Sequence, residues 1–257
     1  MPAFFDVSNL QVRLGQTPIL HGLDLTFRQG EVTALLGHNG SGKSTLLKVL
    51  GRHQRATAGN VRLQSQPLDR LSARQFARIV GYLPQHPPAT DGLTVRELVG
   101  LGRYPWRGPL ARYRSDDHHR IDRAIADTGL TAFADRSVDT LSGGERQRAW
   151  IALLLAQQTQ CLLLDEPISA LDVKHQVETL RLVRDLAGRH NLTVIVVLHD
   201  VDLAARFCDR LVALKEGRVV ADGSAREIMN GPTLEAIFSV RMGVMERAPR
   251  QWISYVH

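Results

Sequence analysis

Cysteine is scarce in this 257-residue chain: Cys161 and Cys208 are the only two. Two are too few for a disulfide framework and fit a reducing compartment. Long apolar runs are missing as well. The run Val194-Ile195-Val196-Val197-Leu198 is far short of the roughly 18 residues a membrane-spanning helix needs. No basic patch followed by an apolar core opens the N-terminus, so no signal peptide is expected. Internal repeats, low-complexity tracts and sustained heptads are also lacking, which argues against solenoid and coiled-coil architectures. The hydrophobic share of 44% and charged share of 23% are those of an ordinary globular protein. The length suits one α/β core with an insertion, or two small domains. A net charge of +6 reads first as solvated helix faces. The anionic inner face of a membrane comes next and nucleic acid last.

Against those absences stands one stretch of dense information. Gly37-His38-Asn39-Gly40-Ser41-Gly42-Lys43-Ser44-Thr45 matches G-x-x-x-x-G-K-[ST], a phosphate-binding loop. Its glycines let successive N–H groups turn toward one anion. Lys43 adds a mobile positive charge for the β- and γ-phosphates, and the Ser44 hydroxyl is suited to Mg²⁺. The apolar run 31–36 before the loop reads as a buried strand, and 44–50 after it as a helix stopped by Gly51. Strand, glycine loop and helix follow in the order the motif requires, so the chain is expected to bind a nucleoside triphosphate.

Residues 4–14 and 19–27 read as paired antiparallel strands beside the nucleotide core. Ala58-Gly59-Asn60 reads as a turn before a short strand at 61–63. A helix is expected at 72–78 with Ser72 as its N-cap, and a strand at 79–83 ending in Pro84-Gln85. From His86 the character changes: Pro87-Pro88 breaks the pattern, and helices are expected at 94–101 and 116–128. Further helices are expected at 143–157 and 173–190, with buried strands at 161–164 and 192–198.

Two more stretches carry chemistry. Leu162-Leu163-Leu164-Asp165-Glu166 is an apolar strand ending in two acids. At such a strand end one acid reaches the Mg²⁺ shell, the role given to Asp165, while Glu166 can orient or deprotonate water. In Leu141-Ser142-Gly143-Gly144-Glu145 a hydroxyl and two glycines precede a helix, which makes a second anion site. One phosphate loop with two anion sites implies that the second serves the nucleotide of another copy. His118-His119 beside Asp116-Asp117 reads as a solvated helix face, because adjacent helical residues do not converge on one point.

With these stretches in order, the chain resembles the ATP-binding subunits of ABC transporters along nearly its full length. The match comprises the phosphate loop, Gln85, the signature 141–145, Asp165-Glu166, Ser169-Ala170-Leu171-Asp172 and His199. The resemblance implies an α/β phosphate-loop NTPase (RecA-like) core with a flanking antiparallel sheet and an inserted helical subdomain. Residues 1–85 and 159–257 would form the core and 86–158 the insertion. It implies ATP and Mg²⁺, with Ser44, Gln85 and Asp165 around the metal. Glu166 would be the general base, and His199 would contact the γ-phosphate. Ser142, Gly143 and Gly144 would meet the partner's nucleotide, and Asp172 would serve communication across the dimer. The implied partners are a second copy, an integral-membrane permease and, indirectly, a substrate-binding protein, at the cytoplasmic face of a bacterial inner membrane. Tandem-cassette and coiled-coil relatives that act on ribosomes or DNA fit less well, since the chain has one of each motif.

Two departures stand out. Leu14 occupies the place where relatives stack an aromatic ring on adenine, and Ile168 stands where Thr is usual. The stretch 94–106, Thr94-Val-Arg-Glu-Leu-Val-Gly-Leu-Gly-Arg-Tyr-Pro-Trp106, resembles importers of iron chelates, haem and cobalamin. Gly51-Arg52-His53-Gln54 and residues 144–151 narrow the likeness to subunits serving ferric hydroxamate siderophores.

Overall fold

A computed structural model describes residues 2–107, 112–248 and 251–256. Residues 108–111, inside the stretch expected to form the helical insertion, lie outside the described residues. The chain divides into two compact units. The first comprises Met1–Arg70, Leu163–Glu166 and Thr193–His257, the second Leu71–Leu162 and Pro167–Leu192.

The first unit holds the α/β core. Strands Val32–Leu36 and Thr193–Val197 are buried at every residue, as expected of a parallel sheet covered on both faces. They run parallel, with Val32 opposite Val194, and Arg210–Lys215 lies parallel on the other side of Val32–Leu36. Arg218–Gly223 closes that edge antiparallel, and the Leu163–Leu164 end of strand Cys161–Leu164 lies beyond Thr193–Val197. A separate four-stranded antiparallel sheet has the order Thr17–Arg28, Ala3–Leu14, Ala58–Leu63, Gln66–Pro67. A hairpin of Met242–Ala248 and Gln251–Val256 ends the chain.

One expectation is corrected here. Ala58, Gly59 and Asn60 form no turn; they are extended and belong to the strand Ala58–Leu63. Gly59 sits at a register shift against Ser8–Gln11 with φ 86°, and a Cβ there would lie 2.2 Å from the Asn9 carbonyl oxygen. The glycine is needed at an irregularity within a strand pair, which a sequence reading takes for a turn.

The second unit is mainly helical. Helices Val95–Leu101, Ser115–Asp127 and Gly143–Ala156 bury Val95, Leu98, Val99, Ile121, Ile125, Ala149 and Ala152 in one core. Ser72, Thr94 and Ser142 each open a helix with a reciprocal capping box. Arg103, 3% exposed, pairs with Asp117 at 2.8 Å and also donates to the Ala156 carbonyl. Trp106, 37% exposed, donates its indole N–H to the Gln157 carbonyl at the surface of this unit. Among the described residues no helix is long and apolar enough to cross a membrane.

Candidate functional site

The phosphate loop leaves strand Val32–Leu36 and curls through glycines in left-handed conformations: Gly37 at φ 131°, Gly40 at 78° and Gly42 at 102°. At Gly37 a Cβ would lie 2.0 Å from the Leu214 carbonyl oxygen, and at Gly42 2.5 Å from the Leu20 side chain. Neither position has room for a side chain. Lys43 opens the helix Lys43–Leu50 and is almost fully buried. Its ammonium donates to the carbonyls of Gly37 at 2.7 Å and His38 at 2.8 Å. Burial pushes the Lys43 pKa below its ordinary value, against the opposing pull of the Glu166 and Asp165 carboxylates. His38, Asn39 and Gly40 face solvent at the loop's rim. The buried Ser41 hydroxyl has no hydrogen-bond partner, so its donor is unspent within the loop.

Beyond strand Cys161–Leu164, Asp165 is buried, and its carboxylate accepts the Ser44 hydroxyl at 2.7 Å. These two positions, 121 residues apart in sequence, bring hard oxygen donors together, which is the chemistry Mg²⁺ selects. Among the described residues no group of three or more His, Cys, Asp and Glu forms a metal cage. One hydroxyl and one carboxylate suit a cation that takes its other ligands from phosphate oxygens and water. Glu166 adopts φ 49°, a costly conformation for a non-glycine residue. Its carboxylate lies 2.7 Å from His199 Nε2. Gly37, His38, Asn39 and His199 line a cavity of about 420 Å³ together with Phe238. Sequence reasoning missed Phe238, since a lone ring at a helix end has no local signature.

The remaining candidates belong to the second unit, apart from Leu14. Gln85 is exposed just after strand Val80–Leu83. Ser142 caps the helix Gly143–Ala156: its hydroxyl donates to Glu145 Oε2 at 2.7 Å, and the Glu145 N–H is directed back to it. Gly144 lies against His175, whose ring a Cβ would meet at 2.6 Å. Asp172 caps the helix Val173–His190, accepting the His175 N–H at 2.9 Å, and its ring Nδ1 is equally close. That backbone N–H, followed by the ring, holds the Asp172 carboxyl below its usual range. Ile168 is buried, 7% exposed. In the first unit Leu14 is 47% exposed.

The model for the ABC transporter family matches residues 20–169. The iron(3+)-hydroxamate import ATP-binding protein of Bacillus subtilis is 41% identical over 231 residues, 90% of this chain and 86% of that protein. The ferric enterobactin transport ATP-binding protein of Escherichia coli is 40% identical over 92% of this chain and 88% of its own length. Among solved structures, an inward-facing ABC transporter assigned to the metal-chelate type aligns with a TM-score of 0.85 and 27% identity, over 99% of this chain and 96% of that one.

Proposed function

The chain belongs to the ABC transporter family as an ATP-binding, ATP-hydrolysing subunit, and from that premise we propose that it energises import of an iron(III)–siderophore, ferric hydroxamate in particular. The observation that carries the hydrolytic part is the meeting of Ser44 with Asp165 and of Glu166 with His199 beside the phosphate loop. The loop N–H groups and Lys43 would hold the phosphates, and the Ser41 hydroxyl has a free donor to add. Ser44 and Asp165, with Gln85 by family resemblance, would hold Mg²⁺, which neutralises charge on the β- and γ-phosphates. Glu166 takes the proton from the attacking water, and His199, at 2.7 Å, fixes the direction of that carboxylate.

The assembly follows from the second anion site. Two copies would close head to tail around two ATP, each phosphate loop facing the other copy's Ser142-Gly143-Gly144. They would bind a separate permease on the cytoplasmic face of a bacterial membrane, with a binding protein delivering the chelate. The core would carry the insertion 86–158 as part of one ATPase domain.

The substrate class is supported by the stretch 94–106 and by the hydroxamate and enterobactin proteins at 41% and 40% identity. Uptake measurements test the choice among chelates. Cells deleted for this chain, with no redundant ATPase, are expected to lose uptake of labelled ferric hydroxamate and to keep that of haem and cobalamin. Retained hydroxamate uptake alongside lost uptake of ferric enterobactin, haem or cobalamin would overturn the choice.

A further inference from the structure

Phe238 lies 69 residues beyond the last position matched by the family model, residue 169, yet it lines the cavity at the phosphate loop. Its ring meets the His38 ring edge to face, with centroids 5.7 Å apart and planes at 82°. The contact is held from both sides. Phe238 ends the helix Gly231–Phe238, whose Leu234 and Ile237 are fully buried and whose N-cap Asn230 accepts the Thr233 N–H at 3.0 Å. Lys215, at the end of the strand beside Val32–Leu36, donates to the Ala236 carbonyl at 2.9 Å. Ser239 then stops the helix in a left-handed conformation. On the other side, His38 supplies one of the two carbonyls on which the Lys43 ammonium rests.

We propose that Phe238 is a positioning residue for ATP hydrolysis: its edge-to-face hold on His38 fixes the carbonyl that aims Lys43 at the phosphates. This deepens the reading of the loop as the ATP-hydrolysing site and rests on it. Ground-state nucleotide binding is spread over many loop N–H groups. The placement of a single ammonium counts most when charge develops on the transferring phosphoryl group. Loosening His38 therefore lowers kcat more than affinity.

In the intact 257-residue chain, Phe238→Ala is expected to lower kcat by about 2- to 13-fold, the range an edge-to-face ring pair is worth. The Kd for ATP should stay within about 2-fold. Phe238→Tyr should restore turnover. His38→Ala should give a similar loss, and the double variant no further one, since both remove the same contact. Unchanged kcat in Phe238→Ala, parallel changes in kcat and Kd, or losses that multiply in the double variant would each overturn the proposal. Should Phe238→Ala fail to melt cooperatively, Phe238→Leu keeps the volume and removes the ring; full kcat in that variant overturns the proposal too. Lys43→Ala separates the two levels. Turnover that survives it removes the hydrolytic reading. Turnover that depends on Lys43 but ignores residue 238 removes only the role of Phe238.

Discussion

The phosphate loop and the signature stretch 141–145 are built in opposite ways. The phosphate loop is a fixed cradle: three left-handed glycines, two without room for a Cβ, and a buried lysine seated on loop carbonyls. The signature stretch is an ordinary capped helix start. Neither Gly143 nor Gly144 has a positive φ, and the Ser142 hydroxyl is already engaged by Glu145. A preformed cradle meets an anion without rearranging. A capped helix end has to exchange one hydrogen bond for another. On the assembly proposed above, the first arrangement would hold the nucleotide of its own subunit and the second would meet one that arrives with another copy.

Substitutions can break that contrast. Lys43→Ala should have the largest effect, abolishing measurable hydrolysis and weakening binding of a fluorescent ATP analogue, because the cradle loses its only deep charge. Glu166→Gln should slow phosphate release by about 100-fold or more while ATP binding persists, since an amide takes no proton. Normal steady-state turnover would remove Glu166 as the base. Ser142→Ala should lower hydrolysis by roughly 10- to 100-fold, the scale of one lost transition-state donor. The separated subunit's ATP affinity should not change, whereas a weakened affinity would place Ser142 at its own subunit's nucleotide.

Gly144→Ala pushes a methyl to within 2.6 Å of the His175 ring, and a cost of about 1–3 kcal/mol should appear in thermal melting. The smallest effect concerns acid. The Ser142 hydroxyl, followed by its backbone N–H, holds the Glu145 carboxyl below its ordinary value of 4.5. A carboxyl lowered in the folded state lends its stability above the ordinary value and loses it as pH falls through the lowered one. The melting difference between wild type and Glu145→Ala should therefore shrink as pH drops below about 4.5.

Local chemistry was legible in advance. The phosphate loop could be read because its geometry depends on which residues lack a Cβ. The helix start at Ser72 could be read because a cap is a local relation between neighbouring residues. The strands 32–36 and 193–197 could be read as buried because every residue is apolar or Thr. Gly59 misled because a glycine satisfies a turn and a strand irregularity alike.

The sequence by itself determined a nucleotide-binding α/β core, two acids at the end of a buried strand and a helix start at the signature stretch. Each is written in spacings of a few residues, where backbone geometry links side chain to side chain. Only the tertiary structure decided that Ser44 meets Asp165 across 121 positions, that Glu166 faces His199 and that Phe238 braces His38. Those pairings come from how the strands stack and where the C-terminal helix packs. Distant residues meet through the burial of the apolar residues around them, and no local pattern encodes that.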